Sequence, residues 1–289
     1  MRQRLLIILI ILIAAFNGGC IYGKKPQQRL KVGLVLGGGG AKGAAEVGVL
    51  KVIEEVGMPI DYIAGTSIGA INGGLYSLGY DAAGLDSLFR NQDWLRLFTK
   101  GSILEMLKEK TGITDSISFD DMPIPFRCVA VDTKTEREIV LASGCPAVAM
   151  RASMAIPGAF KPVKIDTLVL VDGGMLNNLP VDVVRAMGAD VVIAVDLTQN
   201  KRAARDKKVF GLTKLGKLIS WVVARPDLKK YNENITDVDV YINPDLDGYK
   251  AMSFKKKKIA QMIDIGYDAG DECRDELLQL KEMVMQGGQ

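Results

Sequence analysis

The sequence contains no histidine. No Ser-His-Asp triad and no histidine metal site can be built from this chain alone. Cysteine is scarce too, at four in 289 residues. Three of them, Cys128, Cys145 and Cys273, are too widely spaced for a disulfide framework or a zinc site. Cys128 stands in an apolar run and reads as core. Excess charge is also missing. Lysine and arginine number 37 against 34 acids, a net +3, so there is no strong nucleic-acid footprint. No internal repeat is evident. What the chain does have is bulk. Some 48% of its residues are hydrophobic, enough for one large α/β domain with a sizeable core, or two small ones.

The N-terminus is read as lying outside the fold. Arg2 and Arg4 form a basic region, and Leu5 to Phe16 is unbroken apolar. That run is too short to span a bilayer comfortably. Asn17-Gly18-Gly19-Cys20 follows, so residues 1–20 have the layout of a secretory signal peptide. The stretch resembles a bacterial lipoprotein signal, in which the cysteine is lipidated and becomes the new N-terminus. It departs from that pattern at Asn17, where leucine is usual. The resemblance implies export and a lipid anchor on Cys20 at a bacterial membrane, periplasmic or at the cell surface. The competing readings are an uncleaved anchor and an ordinary secreted protein. Cleavage before Cys20 removes Arg2 and Arg4 and no acid, taking the net charge from +3 to +1. Residues 21–30 then form a polar tether, and the domain runs from 31 to 289.

Two glycine-rich turns dominate the first third of the domain. Lys31 to Leu36 is a buried strand by its composition. Gly37-Gly38-Gly39-Gly40-Ala41-Lys42-Gly43 follows, and Ala44 to Val56 has helical apolar spacing. A strand, a glycine loop and a helix start place free backbone N–H groups where an anion can bind. The loop is no Walker P-loop, since no Gly-Lys-Ser/Thr is present. It does match G-x-G-x-x-G at Gly38, Gly40 and Gly43. A dinucleotide site, however, wants an acid at the end of the next strand, and Asp61 stands at the start of its strand. The second turn is Gly65-Thr66-Ser67-Ile68-Gly69. It follows the short apolar run Ile60 to Ala64 and opens a small, apolar helix. That is the context of a G-x-S-x-G nucleophile elbow at Gly65, Ser67 and Gly69; the bland alternative is a glycine turn with a capping serine. Adjacent βα turns of a parallel sheet open on one edge. An oxyanion hole with the N–H groups of Gly39 and Gly40 facing Ser67 therefore explains both turns together. Lys42 is a solvated helix-start lysine or a cation for substrate phosphate.

The rest of the chain alternates strands with helices, which argues for one α/β domain with a mostly parallel sheet. Short helical pieces are expected at 81–90 and 94–98, and a polar, irregular stretch at 101–121 that could lie over the site. Strands follow at 124–132 and 138–142, a helix at 146–153, paired strands at 163–165 and 168–171, and a helix at 180–187 with Pro180 at its first position. A buried strand is expected at 190–196, a charged linker at 200–208 and a strand at 238–242. Residues 209–223 form an amphipathic basic stretch, either an ordinary core-facing helix or a membrane contact. One long helix is expected at 254–285. Its lysine run, Lys255 to Lys258, is a solvated helix start or a lipid-headgroup contact.

A serine hydroxyl needs a base, and without histidine that base must be a carboxylate, a lysine or tyrosine, or a group from a partner chain. Asp132, Asp172 and Asp196 each end an apolar strand. Asp172 is favoured because Gly173 and Gly174 leave room for Ser67 and offer N–H groups to the carboxylate; Asp132 and Asp196 stay open on residues alone. Five ordered blocks then resemble the patatin-like phospholipases. They are Gly38 to Gly43, Gly65 to Gly69, Ala152-Ser153-Met154-Ala155-Ile156-Pro157, Asp172-Gly173-Gly174, and Asn177-Asn178-Leu179-Pro180-Val181-Asp182. The likeness runs from about Leu30 to the C-terminus. It implies an α/β fold, a mostly parallel central sheet flanked by helices, and a Ser–Asp dyad. Ser67 is then the nucleophile, Asp172 the base, and Gly38, Gly39 and Gly40 the oxyanion hole. Lys42 stands where many members carry arginine, which keeps the charge but loses bidentate phosphate binding.

The reaction implied is hydrolysis of a carboxylic ester of a lipid through an acyl-enzyme, with no cofactor and no metal. Aspartate at its reference pKa of about 3.9 is a weak base, so a desolvated site that raises it is expected. The partners implied are a lipid or ester substrate and a membrane surface, and no nucleic acid. The alternative from another class is a membrane-anchored binding protein of the same fold without turnover. A dinucleotide-binding oxidoreductase fails on the position of Asp61 and leaves the elbow unexplained.

Overall fold

The computed structural model describes residues 29–94, 97, 103–112, 117–198 and 228–287. The leader, Cys20, most of the tether and of the 94–98 piece, the linker at 200–208 and the basic stretch at 209–223 lie outside these residues. The strands are β1 (Val32–Leu36), β2 (Tyr62–Thr66), β3 (Phe126–Asp132), β4 (Arg137–Leu141), β5 (Val163–Ile165), β6 (Leu168–Asp172), β7 (Val191–Val195) and β8 (Val240–Ile242). The helices are α1 (Ala44–Val56), α2 (Ile68–Ser77), α3 (Ala82–Asn91), α4 (Ile103–Thr111), α5 (Pro146–Ser153), α6 (Val181–Ala186), α7 (Leu228–Thr236), α8 (Lys256–Glu272) and α9 (Arg274–Gln286).

All eight strands form one sheet in the order β5-β6-β3-β2-β1-β7-β8, with β4 also on β3. The run β3-β2-β1-β7-β8 is parallel, and β4, β5 and β6 add antiparallel pairs. The register on β3 decides where the site falls. Strand β2 pairs with it up to Thr66↔Val129. Strand β6 pairs with it from Ala130↔Asp172 onwards. Strand β4 pairs with Cys128 through Asp132, so it overlaps both neighbours and must occupy the other edge. Strands β2 and β6 therefore share one edge of β3 and meet end to end. The elbow after β2 and the aspartate ending β6 are brought together there.

Both faces of the sheet are buried, as parallel sheets require. Leu34, Leu36, Ile63, Phe126, Ile193 and Val195 point into the larger core. Val35, Ala64, Val129, Val192 and Ala194 alternate with them and pack on the other face with Val181, Val183 and Val184 of α6. The larger core is covered by α1, α2, α3, α5, α8 and α9. Helices α1 and α8 touch backbone to backbone. A Cβ on Gly266 would lie 1.9 Å from the Ala45 carbonyl oxygen, and one on Gly48 would lie 2.0 Å from that of Ile263.

Several expectations shift. The stretch read as irregular at 101–121 contains α4, whose Met106 and Leu107 are buried; its many charges mask a short apolar face. The long C-terminal helix is two. Cys273 leaves helical geometry at φ −93, ψ 8, and the change of direction brings Leu277, Leu280 and Val284 onto the core. Pro180 precedes α6 as its cap instead of opening it. Arg29 and Leu30, placed in the tether, belong to the domain. Arg29 holds Asp61 through both guanidinium nitrogens at 2.6 and 2.8 Å, and the Leu30 N–H donates to Val284 O at 3.3 Å.

The α1–α8 contact leaves no room for a methyl group. Gly266→Ala is expected to destabilise the protein by about 1–3 kcal/mol through overpacking, read as a lower denaturant midpoint with an unchanged slope.

Candidate active site

Strand β2 delivers Ser67 into a turn that only a tight chain reversal permits. Ser67 has φ 57, ψ −121, one of three positive-φ residues other than glycine among the described residues. Such a conformation stores about 1–3 kcal/mol of strain. The flanking glycines are sterically required. A Cβ on Gly65 would lie 2.4 Å from Gly69 O, and one on Gly69 would lie 2.2 Å from Leu36 O. The strained backbone is held by Ser153, the last residue of α5. Its wholly buried hydroxyl accepts the Ser67 N–H at 3.0 Å and donates to Val129 O at 2.6 Å. Sequence reading kept Ser153 inside a motif block without giving it a role. A serine among small residues, beside a block that breaks its helix, was the only available signal.

The Ser67 hydroxyl donates to Asp172 Oδ2 at 2.6 Å, across 105 residues of sequence. The other carboxylate oxygen of Asp172 accepts the Gly174 N–H at 2.8 Å. Both side chains are buried. Burial pushes the Asp172 carboxyl up to about 6, against the two hydrogen bonds from Ser67 and Gly174, which pull it down. The rivals are engaged elsewhere. Asp132 caps the β3–β4 turn through Thr135 and also takes the Val169 N–H. Asp196 accepts from Thr198, Tyr231 and Tyr241.

The glycine loop forms the opposite wall of a narrow cleft. Gly38, Gly39 and Gly40 line it with Ser67 and Asp172, and Ile156, Gly174, Asn178 and Ala251 complete it. The three glycines are not equivalent. The Gly38 N–H donates to Asn178 O at 3.1 Å, and the Asn178 side-chain amide returns a bond to Gly38 O at 3.1 Å. Ala41 N–H is taken by Ala251 O at 2.8 Å. Among the described residues, the N–H groups of Gly39 and Gly40 between them have no backbone acceptor. Gly40 adopts φ +61, which aims consecutive amides in a way that a side-chain-bearing residue resists. Asn178, which fixes the loop, stands in the Asn177-to-Asp182 stretch, where nothing in the sequence marks its long-range partner. Gly43 closes the G-x-G-x-x-G motif at the start of α1, where its carbonyl accepts from Asn72 at 2.9 Å.

Comparisons with known proteins bear on the family and the fold. A family model described as patatin-like phospholipase matches residues 34–116 and 130–185. This chain belongs to that family. Patatin-like phospholipase domain-containing protein 6 of Mus musculus is 30% identical over 280 residues, covering 83% of this chain and 20% of that protein. Lysophospholipase nte1 of Aspergillus terreus is 31% identical over 283 residues, covering 85% and 18%. The chain thus spans about a fifth of the length of the curated relatives it matches. Among solved structures, VipD from Legionella pneumophila shares the fold, with a TM-score of 0.53 at 16% identity over 89% of this chain and 67% of that one.

Two further charged groups of this patatin-like domain stand near the loop. Lys42 is half buried, and burial lowers its pKa against the pull of Asp247 and Asp196. It is not among the residues lining the cleft. Glu46, wholly buried on α1, accepts from Asn72 at 2.6 Å. Burial raises its pKa well above the usual carboxylate range, opposing the Asn72 hydrogen bond. Asp61, the acid weighed for a dinucleotide site, sits at the far end of β2 in ion pairs with Arg29 and Lys31. Among the described residues, no group of three or more Cys, Asp or Glu side chains is arranged to hold a metal ion.

The raised pKa has a stability consequence. The native state binds the Asp172 proton more tightly than the unfolded chain does, so this group makes stability fall as pH rises from about 4 to about 6. Asp172→Asn is therefore expected to raise the melting temperature at neutral pH, by about 1–3 kcal/mol equivalent, and to leave it little changed at pH below about 4. Ser153→Ala leaves the Ser67 N–H and Val129 O unpaired. It should cost about 1–3 kcal/mol in a denaturant titration.

Proposed function

We propose that this protein is a lipid acyl hydrolase, a serine carboxylic-ester hydrolase working through a Ser67–Asp172 dyad. The observation that carries the reading is the buried 2.6 Å hydrogen bond from Ser67 Oγ to Asp172, set in a cleft also lined by Gly39 and Gly40, whose N–H groups have no backbone acceptor among the described residues. Asp172 takes the Ser67 proton as Oγ attacks the ester carbonyl. The carbonyl oxygen gains the negative charge, and the N–H groups of Gly39 and Gly40 stabilise it, with Gly38 holding the loop through Asn178. Such preorganised donors are commonly worth about 3–4 kcal/mol each. The protonated Asp172 then gives its proton to the leaving alcohol, and an acyl-Ser67 remains. Water repeats the cycle: Asp172 accepts its proton as the water oxygen attacks the acyl carbonyl, then returns that proton to Ser67 Oγ as the acyl–Oγ bond breaks and the acid leaves.

A carboxylate with an ordinary pKa would hold that proton too weakly. The shift to about 6 makes Asp172 a usable base near neutral pH. The family and the names of its relatives support a phospholipid or lysophospholipid as substrate. Lys42, within the glycine loop itself, is the cation we assign to a substrate phosphate. A lipid anchor on Cys20 would hold the enzyme at its substrate and raise its effective concentration, placing it at a bacterial membrane facing the periplasm or the outside. No described helix is long and apolar enough to cross a membrane.

The test is hydrolysis of a short chromogenic ester and of a phospholipid dispersion. Ser67→Ala and Asp172→Ala should each lower kcat by about 10³-fold or more while remaining folded. The kcat/KM of the parent should fall tenfold per pH unit below about 6, as Asp172 becomes protonated and can no longer act as base. A folded parent inert on a wide ester panel would move the binding-protein reading ahead. Full activity in Asp172→Ala would remove Asp172 as the base.

A further inference from the structure

One wall of the cleft has no part in the chemistry. It belongs to the turn at 249–254, whose Ala251 lines the cleft and is tied to the glycine loop through the Ala41 N–H. The turn is closed on itself: the Ser253 N–H donates to Lys250 O at 2.9 Å, and the Lys250 N–H donates to Ser253 Oγ at 3.0 Å. Met252 on this turn is 43% exposed. Helix α8 starts immediately afterwards with Lys256, Lys257 and Lys258, preceded by Lys255 as its cap residue. Lys250, Lys255, Lys256 and Lys257 are exposed. Among the described residues none of these four pairs with a carboxylate. The Lys258 ammonium lies 5.7 Å from the Tyr249 ring centre. Asp245 and Asp247 offset part of this charge, and the stretch 245–258 still carries +3.

The fold itself gains nothing from this arrangement. Cations at a helix N-terminus oppose the macrodipole. This helix has no side-chain cap and no acid in its first turn to compensate. Packing also directs the lysines to the cleft side of the molecule. Helices α1 and α8 run in the same sense: Ala45 meets Gly266, and Val49 and Val52 meet Gly270. About ten residues of α8 precede that contact, or about 15 Å at 1.5 Å per residue. They extend past the start of α1, and α1 begins where the glycine loop ends.

We propose that residues 249–258 form the surface that seats the cleft on an anionic lipid bilayer. The lysines face the anionic headgroups, and Met252 enters the interface beside the cleft mouth. A negatively charged bilayer supplies the charge complement that the helix start lacks, and juxtamembrane lysines bind such surfaces in a salt-dependent way. The proposal rests on reading the cleft as a site for lipid esters.

The test uses the full chain with vesicles of phosphatidylcholine alone and with about one third phosphatidylglycerol. Met252→Trp, read by quenching from brominated lipids against the unsubstituted protein, reports whether the rim reaches the acyl region. Quenching is expected with anionic vesicles at low salt and should be lost at high salt. The triple variant K255E/K256E/K257E should partition at least about tenfold less onto anionic vesicles, with hydrolysis of a water-soluble short-chain ester unchanged. A contribution from the leader would be common to parent and variant, so it cancels in the comparison. Equal partition of parent and triple variant would overturn the proposal. So would quenching that does not depend on vesicle charge, or an equal loss of soluble-ester hydrolysis in the triple variant. Binding and quenching need no turnover. A parent that docks in this way yet cleaves no ester would sink the hydrolase reading and leave the docking surface standing; the reverse pattern would sink the docking surface alone.

Discussion

One edge of strand β3 carries two different strands, and the site depends on that arrangement. Strand β2 occupies the edge as far as Val129, and β6 takes it over from Ala130. A parallel strand leaving through an elbow therefore ends against an antiparallel strand arriving with Asp172. The short hydrogen bond between Ser67 and Asp172 follows from this register. A slip of one residue would turn one of the two side chains to the other face of the sheet. Val129 also supplies the carbonyl that holds Ser153, which in turn holds the Ser67 N–H. Ser67, its strained backbone and its carboxylate partner are thus referred to the same two residues of one central strand.

In this chain without histidine, the carboxylate beside Ser67 is shaped by burial. Desolvation raises the Asp172 carboxyl towards neutrality while two donors keep its ionised form accessible. These opposing effects need a dry and rigid pocket. Asn178 ties the glycine loop to the segment after β6, and Asn72 ties the end of the same loop to α2. Among the described residues, the Gly39 and Gly40 amides have no backbone acceptor, whereas those of Gly37, Gly38, Ala41 and Lys42 do.

The two faces of the sheet are built differently, and the difference reaches the cleft. The smaller core is a thin layer of valine and alanine under α6. The larger face carries a deep helical layer in which a glycine seam lets α8 lie directly on α1. That close approach sets how far α8 extends beyond the sheet. It also fixes the turn at 249–254, which forms one wall of the cleft. Packing chosen for the core thereby determines what the mouth of the cleft presents to the outside.

The sequence by itself determined the local chemistry. Gly65 and Gly69 are dictated by an elbow too tight for side chains, and the strand–loop–helix order forces the glycine loop and Ser67 onto one edge. Composition marked most strands, because buried parallel strands are apolar on both faces. Element ends were less legible: α4 hid its apolar pair among charges, and the break at Cys273 is marked locally only by the acids Asp275 and Glu276 in the first turn of α9. What only the tertiary structure decided lies in long-range hydrogen bonds and register. Among three strand-ending aspartates, residue chemistry could rank Asp172 first, but only the pairing on β3 brings it to Ser67 and leaves Asp132 and Asp196 to loops. Ser153 and Asn178 looked like ordinary small polar residues, since their partners lie far away in sequence. The inequality of the three loop glycines had the same cause: whether an amide is free depends on which distant carbonyl reaches it.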